Sequence, residues 1–321
     1  MSPQSSLLGR WFASAAPTAA LEIDARRVTA VAVSGHGASR VLAGYATQPL
    51  APGAVEATLN GTNVHDQASL ARAIRAALDA LSPRPRRLAL VLPDTVAKVS
   101  LLRFDKIPAK PQDLEQLIRW QIRKSAPFKI EDAQLSWFPG TAIEGGGREF
   151  VVTAARRDII ESYERACEAA GAHAGIVDLA TMNLVNAVIA ASAPAGDWLL
   201  VHAAADYATI AVVRGRVLIF FRNRVLDADE DLAALVHQTA MYHQDRLGGG
   251  AFARVVLAGA SSRGADVADR IRRSIEERLG AAVEPFDLRG AVALRDRIAM
   301  APELADTLAP AVGVIVREQV A

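Results

Sequence analysis

Apolar and polar positions along this chain alternate with two different periods, and the switches between them lay out its elements. Ala20-Leu21-Glu22-Ile23-Asp24 reads as a strand, Ala25-Arg26-Arg27 as a turn, and Val28-Thr29-Ala30-Val31-Ala32-Val33 as the partner strand. The pattern returns at Trp198-Leu199-Leu200-Val201-His202 and Ala208-Thr209-Ile210-Ala211-Val212-Val213. Arg214-Gly215-Arg216 then turns the chain into a third strand of β-branched and aromatic residues, Val217 to Phe221. Leu88 to Leu92 and Val255 to Ala258 are short unbroken apolar runs, the signature of strands buried on both faces. Helical periodicity follows each hairpin, over Gln67 to Leu81 and over Asp231 to Leu247. Strands followed by helices, twice over, predict an α/β protein in two halves.

A third pattern interrupts the first half. Val99, Leu101 and Leu102 lead to Phe104-Asp105-Lys106-Ile107-Pro108, and Pro111 sits where a first helical turn tolerates a missing N–H. Asp113 and Glu115 place negative charge at the positive end of the helix dipole, and Leu114, Leu117, Ile118, Gln121 and Ile122 recur at helical spacing. Pro127 disfavours a helical Ala126, so the helix is expected to end near Lys124 or Ser125, with Phe128 folding back as an anchor. Leu135 to Phe138 and Glu149 to Thr153 read as a hairpin around Gly145-Gly146-Gly147, and a helix over Asp158 to Ala170 closes at Gly171. Ala97 to about Ile176 is thus expected to form an inserted β-α-β-β-α unit.

Composition narrows the function. The 321 residues have room for two lobes with separate cores, and 51% hydrophobic with 22% charged residues describes a soluble globular protein. A net charge of +1 opposes the binding of nucleic acid as bulk polyanion. Cys167 is the single cysteine, which rules out a disulfide within the chain and suits a reducing, cytoplasmic compartment. No apolar run reaches the roughly 18 residues a membrane span needs, and Ser5 to Ala13 lacks the cationic start of a secretion signal. Residues 1–17 are read as a flexible tail, and a membrane is expected to be reached only through a partner. His237 and His243 are six apart, off a shared helix face and without a neighbouring ligand, so no metal site is assigned. Neither a P-loop nor a G-x-S-x-G elbow occurs, and Gly248-Gly249-Gly250 reads as a helix stop.

The stretch LLRFDKIPAKPQDLEQLIRWQIRKSAPFKIEDAQLSWF resembles the corresponding segment of the type IV pilus assembly protein PilM family, an FtsA-like branch of the actin superfamily. The likeness extends from about Leu21 to Arg317, where Leu308 to Gly313 is similar to the family's closing helix. It implies an actin-like (ribonuclease H-like) two-lobed fold with an inserted FtsA/PilM-type subdomain. The expected division is 18–96 with 177–195 as first lobe, 97–176 as inserted subdomain, and 196–321 as second lobe, whose helix 308–318 returns to the first.

Actin-like ATPases hold ATP between their lobes on two hairpins, using glycine for close backbone approach and a carboxylate to organise magnesium. At the matching positions this chain has Glu22, Asp24, Ala25 and Arg26, so that a longer acid replaces the family's and Asp24 falls where the phosphate-facing glycine belongs. The second hairpin's D-x-G is replaced by His202-Ala203-Ala204, with Asp206 the nearest acid. The adenosine-side glycine pair becomes Gly259-Ala260, followed by Ser261-Ser262. The expectation is a pseudo-ATPase with no cofactor and no catalytic residue. The alternative is a working ATPase that binds ATP and Mg²⁺ through Asp24 or Asp206.

The resemblance further implies a cytoplasmic adaptor of a type IV pilus, or of the related type II secretion machine, peripheral to the inner membrane. Its partner would be the cytoplasmic N-terminal peptide of a PilN-like membrane protein, held in a groove between the first lobe and the inserted unit. Pilus motor ATPases are further expected partners, and rings or homo-oligomers the expected assemblies. Phe104, Ile107, Leu117, Trp120 and Phe128 are the expected pocket walls, Trp120 foremost because it is large, aromatic and off the main apolar face.

Overall fold

The computed structural model describes residues 17–35, 39–192, 194–226, 231–295 and 300–317; the expected tail, residues 1–17, lies outside them except for Pro17. The chain opens with β1 (Ala19–Ile23), β2 (Arg27–Ser34) and β3 (Val41–Pro49), an antiparallel meander with Leu21 opposite Ala30 and Ala30 opposite Ala46. Helix α1 (Gln67–Asp79) starts where the Asp66 carboxylate accepts the Ser69 N–H at 2.8 Å. It buries Leu70, Ile74, Ala77 and Leu78 and ends two residues before the expected Leu81, whose N–H bonds the Leu78 carbonyl and tightens the last turn. Strand β4 (Arg87–Leu92) then runs parallel to β1.

The inserted segment follows with β5 (Ala97–Phe104), α2 (Pro111–Arg123), β6 (Ala133–Ile143) and β7 (Gly147–Arg156), which make a separate sheet in the order β5-β7-β6. Helix α2 stops at Lys124, as the proline spacing predicts, and sends Ile118 and Ile122 into a small core with Phe104, Leu135 and Phe150. The next helix, α3 (Arg157–Ala169), leaves that sheet. Its buried Ile159, Tyr163, Ala166 and Cys167 join the core beneath α1, where burial pushes the Cys167 thiol up to about 12 and makes it a packing residue.

Strand β8 (His173–Leu179) completes the first sheet beside β4. After α4 (Ala180–Ser192), β9 (Asp197–Ala203), β10 (Tyr207–Arg214) and β11 (Val217–Val225) repeat the opening meander. Then come α5 (Leu232–Leu247), β12 (Arg254–Ala258), α6 (Ala265–Leu279), the short β13 (Glu284–Pro285) and β14 (Ala293–Leu294), and α7 (Pro302–Val316). The first sheet runs β14-β3-β2-β1-β4-β8 and the second β11-β10-β9-β12-β13. Apart from β14, the two share one order: a reversed meander followed by two parallel strands.

Residue alternation explains how the layers stack. Leu88, Leu90 and Leu92 of β4 face α1 and α3, while Ala89 and Val91 face the other way. On β9, Leu199 and Val201 face α5 and α6, while Trp198 and Leu200 face the same central core as Ala89 and Val91. That central core contains α4 and α7, so both sheets are buried on both faces. The two central helices approach closely at Gly313, where an added Cβ would lie 1.9 Å from the Asn183 carbonyl oxygen.

Candidate functional site

Strands β1, β4, β9 and β12 all end at one crevice, the place where parallel α/β sheets offer backbone and side chains to a ligand. Glu22 and His202 point into the gap between the sheets, Asp94 follows β4, and Gly259 follows β12. Glu22, Asp24, Arg26, Ala204 and Gly259 line the crevice together with Asp206, Tyr207, Ser262 and Asp306. Of the other expected nucleotide-site positions, Ala203 and Ala260 are buried in the surrounding core, and Ala25 sits on the first turn outside the lining.

The first turn is already satisfied. Asp24 Oδ1 accepts the N–H groups of Arg26 at 2.6 Å and Arg27 at 2.8 Å, and the Arg27 guanidinium lies 3.3 Å from Oδ2. Donors that a phosphate-gripping turn would aim at its anion here serve the side chain that begins the turn. At the second hairpin, Arg263 Nε donates to the Ala204 carbonyl at 2.8 Å, and its Nη2 donates to the Ala204 and Ala205 carbonyls. Gly259 adopts a left-handed φ of +79°, and a Cβ there would meet His202 at 2.9 Å, so the glycine accommodates the histidine ring.

The crevice holds a cavity of about 40 Å³, room for little more than water. Four acids, Glu22, Asp24, Asp206 and Asp306, line it against the two arginines Arg26 and Arg27. Burial, reinforced by Asp24 and opposed by Arg27, pushes the Glu22 carboxyl up to about 8, and its Oε2 has no hydrogen-bond partner. Burial likewise raises Asp206 and Asp306, even though Asp306 Oδ2 accepts the Ser261 N–H at 2.9 Å.

Behind the crevice, residues that sequence reasoning passed over tie the two halves together. Asp94 is fully buried and accepts the Thr181 N–H at 3.0 Å, the Thr181 hydroxyl, and the Thr209 hydroxyl at 2.6 Å. With its own proton given to Asp94, Thr181 Oγ1 accepts from His202 Nδ1 at 2.8 Å, which places a ring proton on that nitrogen. The available signal was an acid directly after a buried apolar strand.

A second and much larger depression lies elsewhere. It encloses about 860 Å³ and is walled by Gln134, Ser136 and Phe138 of β6, Thr153 and Ala155 of β7, Val177 and Leu179 of β8, and Met182, Val185 and Ile189 of α4. Alternation on β6 accounts for this wall: Ala133 and Leu135 enter the small core while Gln134, Ser136 and Phe138 stand exposed on the other face. Phe138 is 45% exposed. Both β6 and β8 are edge strands of their sheets. Arg216 stands at the rim, and an Arg317–Asp178 pair at 3.9 Å adds charge to a mostly apolar surface.

The expected partner residues are distributed differently. Phe104 is buried in the core of the inserted sheet and Leu117 is half-buried beside it. Ile107 and Trp120 are exposed, and neither they nor Phe104 and Leu117 line the large groove. Phe128 reaches a separate polar depression with Lys129, Arg156 and Asp158. Elsewhere, His243 Nε2 contacts Asp197 Oδ2 at 2.6 Å inside the second half, and Arg214 donates to the same carboxylate at 2.7 and 2.8 Å; no group of His, Cys, Asp and Glu fit to hold a metal occurs among the described residues. No helix of the described residues is long and apolar enough to cross a membrane.

Two sheets of one strand order around a crevice, with an additional three-stranded sheet inserted in the first half, make an actin-like fold. The model of the type IV pilus assembly protein PilM family matches residues 20–243, and the chain belongs to that family. Among solved structures it is similar to the PilM-PilN type IV pilus biogenesis complex, with a TM-score of 0.80 at 20% identity, covering 94% of this chain and 98% of the other. The cytoplasmic domain of EpsL, an inner membrane component of the type II secretion system of Vibrio cholerae, aligns at a TM-score of 0.47 and 12% identity, over 74% of this chain and 80% of that one. A protein of unknown function with an actin-like ATPase fold from Bacteroides thetaiotaomicron aligns at 0.48 and 8% identity, over 84% and 90%. No curated protein matches the sequence significantly.

Proposed function

We propose that this protein is a cytoplasmic adaptor of a type IV pilus assembly platform, peripheral to the inner membrane, and that the groove of about 860 Å³ receives the N-terminal peptide of a PilN-like membrane protein. The groove carries this reading. It combines an apolar floor with two edge strands, the combination by which an extended peptide gains main-chain hydrogen bonds and side-chain anchors. The similar PilM-PilN complex supplies the class of partner. In this reading 18–96 with 177–195 is the first lobe, 97–176 the inserted subdomain, of which α3 and the start of β8 pack on the first lobe, and 196–321 the second lobe. The groove then lies between the first lobe and the inserted subdomain, and its anchors are Phe138, Met182 and Val185.

The interlobe crevice is, on the same proposal, a pseudo-ATPase site. Its small volume, its buried acids and the turn donors already taken by Asp24 support that half of the reading. A calorimetric titration tests the adaptor role, using a synthetic peptide of the cytoplasmic N-terminus of the PilN-type protein from the same genome. Micromolar binding by the wild type, weakened at least about tenfold in Phe138→Ala, is the expected result. No heat of binding to that peptide would refute it.

A further inference from the structure

All five lysines of this chain, against thirty-one arginines, fall between positions 98 and 129. That segment carries eight Lys and Arg against three Asp and Glu, a net of +5 in a chain whose total is +1. Lys98 is half-buried and donates to the Ser125 carbonyl, whereas Lys106, Lys110, Lys124 and Lys129 are exposed and form no ion pair among the described residues. The arginines around them behave differently. Arg119 pairs with Glu115 at 2.9 Å, Arg103 with Asp105 at 3.5 Å, and Arg123 with Glu131. The segment's acids are thus largely engaged by arginine, and the uncompensated charge is lysine.

An aromatic side chain stands within this charge. Trp120 on the outer face of α2 is 55% exposed, with Lys124 Nζ 4.2 Å from its ring centre, and Ile107 is exposed between Lys106 and Lys110. The choice of lysine discriminates between partners. Arginine is enriched and lysine depleted in protein–protein contacts, because the guanidinium fork suits fixed carboxylates. A hydrated ammonium on a flexible stem needs no fixed geometry, which suits mobile anionic headgroups, and tryptophan favours the headgroup level of a bilayer.

We propose that the lysine and tryptophan face of α2 and its flanking loops docks on anionic lipid headgroups. The same three-stranded sheet supplies the β6 and β7 wall of the groove on the face opposite α2, so that, on the adaptor reading, lipid and peptide would be held on opposite faces of one sheet. Only that last connection rests on the adaptor reading; lipid binding by the protein without peptide stands apart from it.

The test is sedimentation of the full chain with vesicles of phosphatidylcholine, alone or with about 30% phosphatidylglycerol. The protein should pellet with the anionic vesicles only, and binding should fall at least about tenfold as salt rises from about 50 to about 300 mM. The combined variant K106E/K110E/K124E/K129E should abolish pelleting, and Trp120→Ala should lower it several-fold. Equal partition into both vesicle types, no pelleting at low salt, or unaltered pelleting of the charge-reversed variant would overturn the proposal. Binding to polyglutamate without binding to vesicles would overturn it too, by making the surface a site for acidic protein. If the combined variant fails to fold, the wild-type salt response and the four single reversals decide. A charge-reversed variant that loses vesicles but keeps peptide affinity separates this surface from the groove.

Discussion

Thr209, on the second sheet, donates a 2.6 Å hydrogen bond to Asp94, which lies just beyond β4 of the first, and neither side chain is exposed to water. The bond joins two halves of the chain 115 positions apart, and Thr181 and His202 complete it. A buried carboxylate that loses a donor cannot turn to solvent for a replacement. Replacing Thr209 by valine keeps the shape and removes the hydroxyl. The variant should be less stable by about 1–3 kcal/mol in urea denaturation.

Glu22 gives the protein a definite pH response. Its folded-state pKa of about 8 lies above the ordinary value of 4.5, so the folded protein holds this proton more tightly than the unfolded chain. Stability from this group is full below about pH 4.5 and is lost progressively as pH rises through 8. Glu22→Gln removes the titration. Its melting temperature should match the wild type near pH 5 and exceed it increasingly toward pH 9, a gain of a few kcal/mol at the alkaline end. A constant difference across that range would assign the effect to packing alone.

Gly313 lets α7 pass α4 with no side chain between them. A methyl group there would sit 1.9 Å from the Asn183 carbonyl oxygen, which is backbone and has nowhere to yield. Gly313→Ala should destabilise by about 1–3 kcal/mol or more, read as a lowered urea midpoint.

The crevice predicts indifference to nucleotide. Millimolar Mg-ATP should leave the melting temperature unchanged, since a ligand stabilises a fold only by binding it. A shift of several degrees that depends on magnesium and vanishes in Asp206→Asn would instead make the interlobe site a functional one.

Much of the fold can be read along the sequence because its strands are buried on both faces. Leu88 to Leu92 and Val255 to Ala258 are continuous apolar runs for that reason, and the hairpins at Ile23 and His202 announce themselves by alternation and charged or small turns. The two-residue strands at Glu284 and Ala293 have no periodicity to detect. The large groove is invisible for a different reason: Ser136, Met182 and Arg216 are distant in sequence, and only tertiary packing brings them together. Trp120 carries a strong local signal, being an aromatic residue on the polar side of an amphipathic helix, and that signal identifies an exposed surface apart from the groove. Asp94 offers a fainter one, a single acid after a buried strand, whose partners Thr181 and Thr209 lie far along the chain.

The central claim, that the groove walled by β6, β8 and α4 receives the partner peptide, is tested most directly by amide hydrogen exchange with and without that peptide. Bound peptide should slow exchange in residues 133–139 and 176–190 while leaving 111–123 unchanged. Protection confined to residues 104–123, around Ile107 and Trp120, would contradict it.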